Sequence, residues 1–160
     1  MLNDHQTSYE KELVSRLLRG DAKAQYTLYS KYVDAMYHTA VRIVKDPTDA
    51  QDVVQECFIR VFQKIGTYRG DATLGAWIKR IAVHSALNLL RKRQRNLEYA
   101  TDEIERYDHV SDIRDETQTF APAHLHHAIK DLPSGCRTVL SLYALEGYSH
   151  KEIAGILEIT

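Results

Sequence analysis

Apolar residues recur at three- and four-residue spacing along nearly the whole chain, and no segment alternates apolar with polar residues long enough to make a strand. That pattern predicts an all-α protein. A first helix is expected over about residues 9–19, with Leu13, Val14, Leu17 and Leu18 on its buried stripe. Gly20 is suited to end it, and Asp21 to cap the next. The second helix, about 22–44, is expected to bury Leu28, Tyr29, Tyr32, Val33, Met36, Ala40 and Ile43. Asp46-Pro47-Thr48 then breaks and restarts the chain, with proline in the new first turn and a capping box expected from Thr48 and Gln51. The third helix, about 49–65, carries Val53, Val54, Cys57, Phe58, Val61, Phe62 and Ile65 on one broad face. Asp52, Gln55, Glu56 and Arg60 fall mostly off that face. After a loop with two glycines, a fourth helix runs from about 74 through Trp77, Ile78, Ile81, Ala82, Leu87 and Leu90 to a basic tail ending at Arg95.

Beyond this unit the character of the chain changes. Residues 97–122 are acidic and weakly periodic, which predicts a flexible linker. Pro133 then opens a helix with Val139, Leu140, Leu142, Tyr143 and Leu145 as its apolar residues, and Gly147 ends it. Ser149 and Glu152 form a capping signature ahead of Ile153, Ala154, Ile156 and Leu157. Two short helices joined by a tight turn are similar to the start of a helix-turn-helix. Thr160 stands where a recognition helix is expected to begin, so the sequence reads as a piece of a longer protein.

The formal net charge of −1 conceals a segregation. Residues 72–97 contain no acid, while Lys79, Arg80, Arg91, Lys92, Arg93 and Arg95 supply six bases; residues 98–116 are strongly acidic. Such blocks predict a basic working surface followed by an acidic linker. There is no phosphate-cradling glycine loop and no nucleophile motif, so a non-enzymatic protein without a cofactor is expected. His124, His126 and His127 lack a cysteine or carboxylate at ligand spacing, and no metal site is expected there. Cys57 and Cys136 are expected to be small buried hydrophobes. The polar N-terminus and the absence of an apolar run of ~20 residues point to the cytoplasm.

Three segments together carry a resemblance to the bacterial RNA polymerase sigma factors of the extracytoplasmic-function class. Residues 49–62, DAQDVVQECFIRVF, resemble the family's polymerase-binding helix. Tyr68-Arg69-Gly70-Asp71-Ala72, followed by Trp77-Ile78-Lys79-Arg80-Ile81-Ala82-Val83, is similar to the promoter-melting loop and the helix after it. Leu132-Pro133 and residues 142–154 resemble the start of the fourth conserved region. The resemblance implies a region-2 domain over residues 1–96, a linker over 97–122, and a partial region-4 domain over 123–160 that lacks its recognition helix. It implies core RNA polymerase and promoter DNA as partners, and an anti-sigma factor that restrains the protein. Asp49, Asp52, Gln55, Glu56 and Arg60 are then candidates for polymerase binding. Tyr68, Arg69, Trp77, Lys79, Arg80, His84, Asn88, Arg91, Lys92, Arg93 and Arg95 are candidates for DNA binding, through aromatic stacking, base-edge hydrogen bonds and phosphate contacts.

Two residues depart from the family pattern. His84 stands where an asparagine usually reads the −10 element, which puts the base preference in question while leaving a donor in place. Glu158 stands where the turn usually carries glycine, at a cost of roughly 1 kcal/mol if φ is positive. A helix-turn-helix regulator acting without polymerase would explain the C-terminal pattern but not the base-only stretch. The acidic linker is expected to shield the basic surface, through Glu103, Glu105 and Asp108 among others.

Overall fold

A computed structural model describes residues 4–100, 127–129 and 131–159, and among these every regular element is helical. In chain order they are α1 (Asp4–Leu18), α2 (Ala22–Val44), α3 (Pro47–Lys64), a 3-10 turn (Ile65–Thr67), α4 (Leu74–Ala100), α5 (Ser134–Leu140), a π-helical turn (Ser141–Leu145) and α6 (His150–Leu157). The histidines at 124 and 126, and most of the acidic segment, lie outside the described residues.

Local chemistry explains most helix boundaries. Gly20 takes φ +75° after α1, and the Asp21 carboxylate accepts the backbone N–H groups of Lys23 at 2.8 Å and Ala24 at 3.3 Å. The capping box expected from Thr48 and Gln51 does not form. Asp46 caps α3 instead, accepting from the N–H of Thr48 at 2.8 Å and of Asp49 at 3.0 Å. The reason is positional: Pro47 is the first helical residue, so the cap falls one step before it. The Ser149–Glu152 box is present, and both of its arms are made.

α2, α3 and α4 pack around one apolar core in which Leu28, Ile43, Cys57, Val61, Leu74, Ile78 and Val83 are fully buried. Leu13 and Leu17 attach α1 to it. Truncating a side chain such as Ile78 to alanine here costs about 2–5 kcal/mol. A second layer, α5 through α6, closes over Leu142, Ile153 and Ile156 and lies against α2 and α4.

Several expected core positions are instead at the surface. Leu18 is 58% exposed and Tyr29 42%, because each lies at the margin of its apolar stripe; Tyr29 rests its ring on Phe58 at 4.8 Å. Leu140, Tyr143 and Leu145 are also exposed. The π-helical turn rotates this segment off the simple helical register, so that Ser141 and Leu142 take the buried positions. Tyr143 stacks on His150 at 4.4 Å. Cys57 is buried as expected, but Cys136 is exposed, since α5 turns that face outward. α4 continues to Ala100, beyond the expected end at Arg95, because no glycine or proline interrupts residues 89–100.

Candidate nucleic-acid interface

The polar residues of α3 divide into two groups. Asp52, Gln55 and Glu56 are exposed, and Arg60 donates from Nε to Glu56 at 2.7 Å. That surface i,i+4 pair stabilises the helix by only about 0.3–0.5 kcal/mol. Ile59 is 53% exposed beside them, an apolar element that the helical stripe did not predict. Asp49 behaves differently: its side chain is buried and paired with Arg93 of α4. A cleft of about 330 Å³ runs between α3 and α4, lined by Asp52, Glu56 and Arg60 on one side and Ser85, Asn88 and Lys92 on the other.

The loop before α4 is held from within and from afar. The Tyr68 hydroxyl donates to the Ala72 carbonyl at 2.7 Å, and Gly70 takes φ +79° between them. The rings of Tyr68 and Trp77 lie 5.5 Å apart at 56°, and both are packed against the core. Burial, with Glu10 and Asp71 nearby, pushes the Tyr68 hydroxyl pKa above its ordinary value. The α4 N-terminus has two acceptors. Thr73 Oγ1 takes the Ala76 N–H at 3.2 Å, and the Glu10 carboxylate, 8% exposed in α1, takes the Leu74 N–H at 3.3 Å. Nothing local in the sequence marked Glu10, because its partner lies 64 residues away.

The bases of α4 are likewise sorted by the fold. Arg80, Lys92 and Arg95 are exposed, as are Asn88 and the loop residue Arg69. Arg93 is committed to Asp49, and Arg91 donates from Nη2 to the Leu157 carbonyl at 3.4 Å. Lys79 pairs with Glu146 at 2.7 Å and lies 5.9 Å over the Tyr148 ring. His84 is half-buried, and its pKa is lowered, first by burial and then by Arg80 and Arg91, with Glu158 acting in the opposite direction. A second cleft, about 430 Å³, is lined by the 67–72 loop, Trp77, Lys79 and Arg80, and is walled by Glu146, Gly147, Tyr148 and Glu152. Acids of the C-terminal unit therefore meet the basic helix directly. Arg42 and Glu146, central to that contact, were not singled out in the sequence, since their 104-residue separation leaves no local signal.

Comparison with known proteins agrees with this architecture. Residues 28–96 match the model of Sigma-70 region 2, and residues 124–160 match that of Sigma-70, region 4. The RNA polymerase sigma-H factor of Pseudomonas aeruginosa is 35% identical, across 93% of this chain and 82% of its own length. An ECF RNA polymerase sigma-E factor of Haemophilus influenzae is 32% identical, across 93% and 84%. Among solved structures, CnrH in complex with the cytosolic domain of CnrY superposes with a TM-score of 0.56 at 23% identity, covering 94% of this chain and 84% of that one. The sigma factor RpoE of Bartonella quintana, solved with the anti-sigma factor NepR, gives 0.57 at 18% identity, covering 84% and 83%. Both have the same fold. The region-2 match accounts for the helices that carry both candidate surfaces, and the curated relatives span nearly the whole chain. The chain belongs to the extracytoplasmic-function class of RNA polymerase sigma factors and is an alternative sigma factor directing transcription initiation.

Proposed function

We propose that the exposed face of α3 docks on core RNA polymerase and that the 68–72 loop with α4 engages and opens the −10 region of promoter DNA. Asp52, Gln55 and Glu56 are the docking residues, with Ile59 as an apolar contact at their centre. A polar face with one exposed hydrophobe suits a partner that is acquired and released, because it need not be buried in the free protein. Arg69, Arg80, Lys92 and Arg95 meet phosphates, while His84 and Asn88 face bases or phosphates. Asp49 and Arg93 serve these surfaces indirectly, by joining α3 to α4. The division into a polymerase- and promoter-binding unit over residues 1–96, a linker, and a C-terminal unit from 123 follows the same reading. The protein acts without catalytic chemistry, in the cytoplasm, and an anti-sigma factor covers its docking surfaces when it is idle.

The observation that carries this reading is the exposure of Asp52, Gln55 and Glu56 on a helix whose opposite face is entirely core. The test is a pull-down of core RNA polymerase with the wild-type chain and with a Gln55→Ala plus Glu56→Ala variant. Retention by the wild type and loss in the variant supports the docking face; equal retention by both removes it.

A further inference from the structure

Among the described residues, Glu146, just after the π-helical turn, bridges the two layers with a side chain that is only 3% exposed. Arg42 Nη1 of α2 donates to its Oε1 at 2.6 Å. Its other oxygen, Oε2, receives Lys79 Nζ of α4 at 2.7 Å and Thr39 Oγ1 of α2 at 3.5 Å. Lys79 also donates to the Glu146 carbonyl at 3.2 Å. Thr39, Arg42 and Lys79 therefore form a cradle of two cations and a hydroxyl around one carboxylate. The cradle carries one more positive charge than its occupant neutralises.

We propose that this cradle is a binding site for a backbone phosphate of promoter DNA, and that Glu146 fills it as an intramolecular stand-in while the two layers are closed. The proposal rests on the reading of α4 as the DNA-facing helix. Three features support it. A phosphodiester presents two non-bridging oxygens and one negative charge, as the carboxylate does, and charge-assisted bonds from Arg and Lys recognise either. Lys79 and Glu146 also line the cleft formed by the 67–72 loop, so the cradle adjoins the surface that a DNA strand following that loop would meet. The acid is delivered on a defined turn: Gly147 takes φ +76° immediately after it, and the Tyr148 N–H returns to the Leu142 carbonyl at 2.9 Å. The C-terminal unit then competes with DNA for the same cations, and promoter engagement requires it to lift away. Arg42 and Thr39 thereby join the DNA-contacting set, although neither belongs to α4 or its loop.

The experiment measures binding of the full chain to a fluorescent duplex with an unpaired bubble, across a salt series. Glu146→Gln keeps the shape but removes the charge. It is expected to bind about three- to tenfold tighter, as the binding-competent population rises. Its log–log salt slope should steepen by about 0.9, one phosphate's worth. Adding Arg42→Ala to Glu146→Gln should cancel both gains, and Arg42→Ala alone, which frees Glu146 but dismantles the cradle, should show neither. Thermal melts of each variant identify any that fail to fold, and the Arg42→Ala result stands independently of Glu146→Gln. Unchanged affinity in Glu146→Gln overturns the proposal, as does an equal gain in Glu152→Gln, which would mark a general charge effect. A Lys92→Ala plus Arg95→Ala variant separates the two levels. If it loses affinity while the Glu146 series is flat, only the cradle fails; if it loses none, the α4 reading fails and the cradle with it.

Discussion

Arg93, near the end of α4, lays its guanidinium against the carboxylate of Asp49 in the first turn of α3, and so ties together the two helices that carry the candidate polymerase and DNA surfaces. The Asp49 side chain is 8% exposed, while that of Arg93 is 51% exposed. Such asymmetry makes the pair costly to break from the arginine side, because the carboxylate would remain buried without its counter-ion.

Arg93→Ala is accordingly expected to lower stability by about 1–3 kcal/mol, read by urea unfolding. Asp49→Asn on that background should recover part of the loss. The salt slope of DNA binding should change less than for Lys92→Ala, whose side chain is exposed. An equal change in slope would show that Arg93 leaves Asp49 to meet a phosphate.

Glu10 reaches from α1 to the first N–H of α4, acting as a helix cap supplied from outside the helix. Glu10→Ala is expected to cost about 1 kcal/mol, within the range for lost caps. Its signature should be local. Hydrogen exchange should quicken at residues 66–76 before it does in the middle of α3, whereas a uniform change across the chain would assign Glu10 a general packing role.

His84 gives the protein a pH dependence of defined sign. Its pKa is lowered in the fold, chiefly by burial and then by Arg80 and Arg91, so the unfolded chain binds the proton more readily. The stability associated with neutral His84 is present above its ordinary value of about 6.5 and is lost as pH falls through the lowered folded value. Thermal melts of wild type and His84→Gln between pH 7.5 and about 5 should therefore converge toward the acid end. Parallel curves would show that His84 does not contribute.

Glu158 takes φ +56° and ψ +36° just past the end of α6, the conformation for which its side chain is unsuited. Glu158→Gly is expected to stabilise the chain by about 0.5–1 kcal/mol, a rise of about 1–4 °C in Tm. A fall in Tm would mean that the carboxylate gains more from Arg91 and Arg95, which share a surface recess with it, than the backbone loses.

Much of this molecule was determined by its sequence alone, wherever the governing interaction spans only a few residues. The three long helices, the Asp21 cap, the Ser149–Glu152 box and the strained position of Glu158 follow from periodicity and from side chains reaching their own backbone. The exposed Gln55 and Glu56 were legible for the same reason, since a helix with one apolar face must present the other outward. The tertiary structure decided what no short window contains. Asp49 and Arg93 had been expected on separate working surfaces, yet lie 44 residues apart in sequence and against each other in space. The linker acids Glu103, Glu105 and Asp108, expected to shield the basic helix, lie outside the described residues; the acid the fold brings onto Lys79 of that helix is Glu146, which looks unremarkable in sequence beside Gly147. The acidic side chain that neutralises a base is selected by which helices pack together, and that depends on the whole core rather than on any local pattern.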